Sequence, residues 1–278
     1  MLTIFTVCDR TYEPFVIPYA ISALTHNPTA CVEICLFDPS RFIAENRKAL
    51  ECVNLYFPDR FSLRAGRHFD QSINTVRFLE QPTCRSEYIY IGDIDMLILE
   101  EIAPSHIEHM EATGLPYSNI LRHGRKALTG LHFSRWGAFY PQPPNVKKDR
   151  VNMDEEYLYD LVEARGLPMP DVADSFRPCH GFHLSINRDP RNARDMFWQG
   201  VGNSELVRAF CEFRESAVWR EASENFDVRF QWLLSIVESV LSVRFPKLVS
   251  NSKATPGFTL RSLWQLTAPY ADQYRSEN

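Results

Sequence analysis

The chain has 278 residues, of which 45% are hydrophobic and 23% charged, a balance that suits a globular fold with a sizeable core, either one large α/β domain or two smaller ones. A net charge of -5 and a pI near 5.9 argue against a general affinity for nucleic acid. No apolar run reaches the ~18 residues of a membrane span, and the first residues enter a strand without a charged, apolar leader, so a cytoplasmic protein is expected.

The seven cysteines are scattered and odd in number, with no Cys-x-x-Cys pair. They read as reduced core thiols, and no zinc site is expected.

Leu2 to Cys8 is a short apolar, β-rich run that ends at Asp9, and Tyr12 to Leu24 has helical spacing stopped by His26-Asn27-Pro28. Cys31 to Phe37 predicts a second strand, closed by Asp38-Pro39-Ser40, and Arg41 to Val53 a second helix. This β-α-β-α opening argues for a parallel sheet covered by helices, with functional loops at the carboxyl ends of its strands. Asp9 stands at such an end, where it either caps the helix or meets a ligand. Asn54 to Leu63 can hold another short strand, followed by a basic loop, Arg64 to His68. Phe69 to Gln81 predicts a helix that carries Asn74 and Arg77 and stops at Pro82. Arg77 is either solvated or a partner for phosphate or carboxylate.

Tyr88 to Glu100 is the segment around which the rest is organised. An apolar, aromatic and β-branched run leads into Gly92, and Asp93 and Asp95 follow with Ile94 between them. Alternate residues of an extended chain share a face, so the two carboxylates converge. Ionised and about 5 Å apart, they repel by roughly 3 kcal/mol at an effective dielectric near 20. Either one caps the next segment, or a hard divalent cation sits between them.

Pro104 to Thr113 predicts a surface helix, and Arg122 to Lys126 a basic loop, solvated or suited to an anion. Leu128 to Phe133 looks like a strand interrupted by Gly130, and Tyr140 to Arg150 an irregular loop. Asn152 to Glu163 is helical, with Asp154, Glu155 and Glu156 in its first turn, where the macrodipole favours acids. Phe176 to Asn187 reads as extended, so His180 and His183 face opposite ways and at most one joins a given site. Helical spacing then runs over Asn192 to Gly200, Ser204 to Glu221 and Asn225 to Val243. The tail from Arg244 mixes basic residues with Phe245, Phe258, Trp264 and Tyr270, a composition for core packing or for peripheral contact with a membrane.

In their order, these segments resemble glycosyltransferase family 8, retaining enzymes of the GT-A fold that use nucleotide-sugar donors. Phe5-Thr6-Val7-Cys8-Asp9-Arg10-Thr11-Tyr12 looks like the family's base-binding opening, Val76-Arg77-Phe78-Leu79 like the segment whose arginine lies against the donor, and Tyr90-Ile91-Gly92-Asp93-Ile94-Asp95-Met96-Leu97 like its Asp-x-Asp strand. Asp154-Glu155-Glu156 falls where the family carries Asp-Gln-Asp, and His180-Gly181 where it has a metal-binding histidine. Gly92 stands where an apolar residue is usual, Glu155 replaces the glutamine, and the Lys-Pro-Trp after the histidine region is absent, leaving Arg77 or Arg188 for diphosphate contacts.

The resemblance implies a mixed GT-A, Rossmann-like α/β sheet flanked by helices over 1-187, with a helical extension packed on it over 188-278. It implies Thr6, Asp9, Tyr12, Arg77, Asp93 and Ile94 at the donor, and Asp93, Asp95 and His180 around Mn2+ or Mg2+. Asp154 and Glu155 would line the reacting face, with His132 and the loop around Arg125 nearer the acceptor. The expected activity moves a hexose, galactose or glucose, from a UDP-sugar to a glycan or lipid-linked glycan, with retention, as in bacterial surface polysaccharide assembly. Two other readings stay open: a haloacid-dehalogenase-like phosphatase using Asp93 and Asp95, and a module that binds nucleotide or glycan without turnover.

Overall fold

A computed structural model describes residues 1–69, 72–143, 146, 153–171, 174–186, 198–246 and 248. Arg188, most of the helix expected over 192–200 and the aromatic tail beyond Leu248 lie outside the described residues.

Strand β1 (Leu2–Cys8) is buried along its whole length, as a strand covered on both faces must be. A short turn at Glu13–Phe15 leads into α1 (Val16–His26), and β2 (Cys31–Leu36) runs parallel to β1. The helix expected over 41–53 is two. Asp38 accepts from Arg41 N at 3.0 Å and Pro39 opens α2 (Pro39–Glu45), Asn46 interrupts, and α3 (Arg47–Tyr56) follows. Next come β3 (Phe61–Ala65), α4 (Ile73–Leu79), β4 (Tyr88–Ile91), β5 (Met96–Ile98) and α5 (Ala103–Thr113). The chain continues through β6 (Tyr117–Ser118), β7 (His132–Arg135), α6 (Trp136–Phe139), α7 (Asp154–Ala164) and β8 (Gly181–His183). It closes with α8 (Ser204–Arg214), α9 (Ala217–Ser223) and α10 (Val228–Arg244). Ser216 splits the expected helix 204–221 because its hydroxyl caps α9.

The main sheet is mixed, in the order β3-β2-β1-β4-β7-β6, with β7 antiparallel to β4. Alternation along β1 sends Leu2 and Ile4 into one apolar cluster and Phe5 and Val7 into the other. The first cluster also holds α1, α3 and α8 to α10, joined by contacts such as Phe15 against Phe230, ring centroids 5.5 Å apart. The second holds α4, α6 and α7. Helices thus cover both faces and leave the carboxyl ends of β1 and β4 open.

The reading of the cysteines is corrected in the core. Cys31 and Cys84 form a disulfide, S–S 2.04 Å, and are not reduced thiols. Cys31 opens β2 and Cys84 lies just before β4, the two strands that flank β1, so residues 53 apart in sequence meet at the amino end of β1. Arg64, expected to open a basic loop, instead lies within β3. Arg64 binds buried Glu33 (Nε to Oε1, 2.6 Å) and Glu80 (Nη1 to Oε2, 2.9 Å), while Glu33 also accepts from the backbone of Thr83 and Cys84. A buried charge is tolerable only when it is this fully paired.

His132, expected near the acceptor, is instead a core residue on β7, with its ring between Tyr117 and Phe139. Its Nδ1 accepts from Asn119 Nδ2 at 3.2 Å, and burial pushes its pKa down to about 3. Buried His106 is pushed down to about 2, by burial first and by neighbouring His180 second. Both stay neutral in the folded chain, whereas in the unfolded chain they titrate near 6.5. Stability is therefore unaffected by them above about pH 6.5 and is lost as pH falls from there toward about 3, because the unfolded state takes up protons that the fold refuses. Urea unfolding across this window should show that decline, with a shallower slope in His132→Phe; an unchanged slope in that variant would contradict the assignment.

Candidate active site and metal centre

The tip of β4 is fixed against β1 before any functional side chain is reached. Gly92 N donates to Phe5 O at 3.1 Å, and Thr6 Oγ1 donates to Gly92 O at 2.9 Å. A Cβ at position 92 would lie 2.8 Å from Tyr90 Cε1, a crowding that glycine avoids. Ile94 turns inward, and Asp93 and Asp95 project into a cavity of about 440 Å³.

Arg77, buried on α4, bridges two acids. Its Nη1 donates to Asp93 Oδ1, and its Nη2 donates to Asp154 Oδ2 at 2.7 Å. Gly130 makes room for this bridge, since a Cβ there would sit 2.4 Å from Arg77 Nη2. Burial alone would raise the pKa of Asp93, but the charges of Arg77 and His183 more than offset it and hold the carboxyl below its ordinary range.

His183 arrives from β8. That strand pairs antiparallel with β5, and Leu184 N donates to Asp95 O at 2.7 Å, which places His183 beside the second aspartate. His183 Nε2 lies 3.1 Å from Asp95 Oδ1 and 3.7 Å from Asp93 Oδ2. One donor atom from each of Asp93, Asp95 and His183 falls within 4.8 Å of the others, the one such trio among the described residues. Two carboxylate oxygens and an imidazole nitrogen at this spacing suit a divalent cation such as Mn2+ or Mg2+.

Thr6, Asp9, Tyr12, Arg77, Asp93 and Ile94 all line this one cavity, joined by Asn74, Asp95, His183 and Ser185. Asp9 caps no helix: its Oδ1 accepts from Tyr12 N at 3.1 Å within the turn that precedes Glu13, and the residue lines the cavity. Burial raises its pKa, and the backbone N–H groups of Tyr12 and Thr11 act against that rise.

Other expected residues are placed elsewhere. His180 is not beside the aspartates: it is fully buried, with Nδ1 2.9 Å from Glu100 Oε1 and Nε2 2.9 Å from His106 Nε2. The opposite facing of His180 and His183 foretold that only one could join the site, but the choice depends on the β5–β8 register, which local sequence does not encode. Asp154 reaches the site through Arg77, whereas Glu155 turns to Arg122, whose Nε donates at 2.9 Å. In the basic loop, Arg122, Arg125 and Lys126 pair with Glu155, Glu156 and Glu163 of α7.

No family model matches the chain, and no curated protein does. Among solved structures it is similar to an active-site mutant of LgtC, at 12% identity and TM-score 0.44 over 65% of this chain and 85% of that one. It is also similar to the galactosyltransferase LgtC in complex with donor and acceptor sugar analogues, at 13% identity and TM-score 0.36 over 63% and 68% of the two chains.

Gly130→Ala should push the Arg77 guanidinium off Asp154 and cost about 1–3 kcal/mol, the usual range for overpacking a filled site. Chemical denaturation measures this, and an unchanged midpoint would contradict the close approach.

Proposed function

We propose that this chain is a metal-dependent glycosyltransferase that moves a hexose from a UDP-sugar to a hydroxyl of a glycan or lipid-linked glycan. The observation that carries the reading is the convergence of Asp93, Asp95 and His183 within 4.8 Å on a cavity also lined by Thr6, Asp9 and Tyr12. A polar wall beside a tyrosine ring suits a nucleotide base, and a carboxylate pair with an imidazole suits the cation that accompanies a diphosphate.

Asp93, Asp95 and His183 would hold Mn2+ or Mg2+, which when bound supplies Lewis-acid neutralisation of the charge on the departing diphosphate. Arg77 adds a fixed positive charge to the same wall and keeps Asp93 ionised. Asp9 and Thr6 offer hydrogen-bonding groups to the base, and Ile94 contributes the apolar surface between the two aspartates. Asp154, held by the other arm of Arg77, is the acid we assign to the reacting face. Glu155 serves that face only if it leaves Arg122, so its assignment is secondary to that of Asp154. Retention is the proposed stereochemical course, with galactose or glucose as the hexose.

The phosphatase reading would make Asp93 a nucleophile, a role poorly served by a carboxylate already engaged by Arg77 and flanked by His183. Hydrolysis or transfer from a panel of nucleotide sugars tests the proposal. Turnover should require Mn2+ or Mg2+, stop with chelator, and fall in Asp95→Asn by more than the 10- to 100-fold that is roughly typical of outer-shell changes. Metal-independent turnover that survives the substitution would overturn it, and tight binding of UDP and metal without turnover would favour the binding module.

A further inference from the structure

His180 is a buried histidine that the candidate site does not use, yet neither of its ring nitrogens is idle. Nδ1 meets Glu100 and Nε2 meets His106, each at 2.9 Å. His106 Nδ1 then meets Ser118 Oγ at 2.8 Å. The four side chains come from the segment after β5, the approach to β8, α5 and β6. They form one hydrogen-bonded chain that ties the approach to β8 to three consecutive segments far from it in sequence.

The strand that this chain grips is short. β8 is three residues long, pairs with β5 in a two-stranded sheet, and is bridged at His183 to Gln199. Gly181 has no side chain to anchor it, and none could fit, for a Cβ there would lie 1.7 Å from Leu97 O. Other ties are Phe182 in the apolar core and backbone bonds such as Leu99 N to His180 O, 2.8 Å, and His183 N to Gln199 O, 3.1 Å, which hold the backbone of the segment and leave the side of His180 to the strut. His180 and His183 project from opposite sides of this short segment, so a strut on one side sets the position of the ligand on the other.

We propose that His180 is a positioning residue: the Glu100–His180–His106–Ser118 chain fastens β8 to α5 and β6 and thereby sets where the His183 imidazole stands relative to Asp93 and Asp95. Orienting partners of this kind commonly change metal affinity by about 10- to 100-fold when removed. The metal arm of the inference rests on the proposed metal site, while the placement of His183 does not.

The two ends of the strut differ in a way that can be measured. Glu100 is 46% exposed, so water competes for its bond to His180, whereas the contact between His106 and Ser118 is buried. Ser118→Ala should therefore disturb His183 more than Glu100→Gln does.

Side-chain nuclear magnetic resonance of His183 in the metal-free full-length protein reads its placement directly. Mn2+ titration followed by electron paramagnetic resonance reads affinity. In folded His180→Ala the His183 resonances should shift and Mn2+ should bind about 10- to 100-fold more weakly, with His180→Asn, which can keep one of the two bonds, in between. Unchanged resonances and unchanged Mn2+ affinity in folded His180→Ala would overturn the proposal. If that variant does not fold, Ser118→Ala is judged by the same two readouts. Should the wild-type chain bind no Mn2+ while the His183 resonances still move, the metal reading fails and the positioning role stands.

Discussion

Two carboxylates delivered to one point at the end of a buried strand repel each other, and the architecture around β4 is an answer to that repulsion. Arg77 takes one oxygen of Asp93 and ties it to Asp154, while His183 stands within 3.1 Å of Asp95. The acids are thus compensated by one cation and one imidazole before any ligand arrives. This keeps Asp93 ionised despite burial, the state in which a carboxylate can share a divalent cation.

Each part of that arrangement is imposed by the fold. Parallel pairing of β1 with β4 brings the loop that carries Asp9 and Tyr12 alongside the tip that carries Asp93 and Asp95. Helix α4, lying on the face of the second apolar cluster, sends Arg77 under the same tip. The small β5–β8 sheet then brings His183 from nearly ninety residues further along the chain. Glycines mark the closest approaches: Gly92 beside Tyr90, Gly130 beside Arg77 and Gly181 against the backbone of β5.

Much of this was legible in the residues alone, and the exceptions have a common cause. The apolar runs Leu2–Cys8, Cys31–Leu36 and Tyr88–Ile91 announce buried strands by composition, and functional residues of a parallel sheet gather where such runs end. Thr6, Asp9, Arg77, Asp93 and Ile94 could therefore be named for one cavity from position in the chain and family resemblance. Pairings across long sequence separations could not. The Cys31–Cys84 bond, the turn of Glu155 toward Arg122 and the exchange of His180 for His183 all depend on register or on loop placement. His132 misled for a simpler reason: a histidine beside a basic loop looks functional until the strand beneath it is seen to point into the core.

We propose that Asp93, Asp95 and His183 hold the cation against which a nucleotide diphosphate docks. Crystals grown with Mn2+ and UDP, examined by anomalous diffraction at the manganese edge, test it most directly. A single strong anomalous peak is expected, coordinated by one oxygen from each aspartate and a nitrogen of His183, with diphosphate oxygens completing the shell. A peak at His180, or UDP bound in the cavity with no metal at the aspartates, would contradict it.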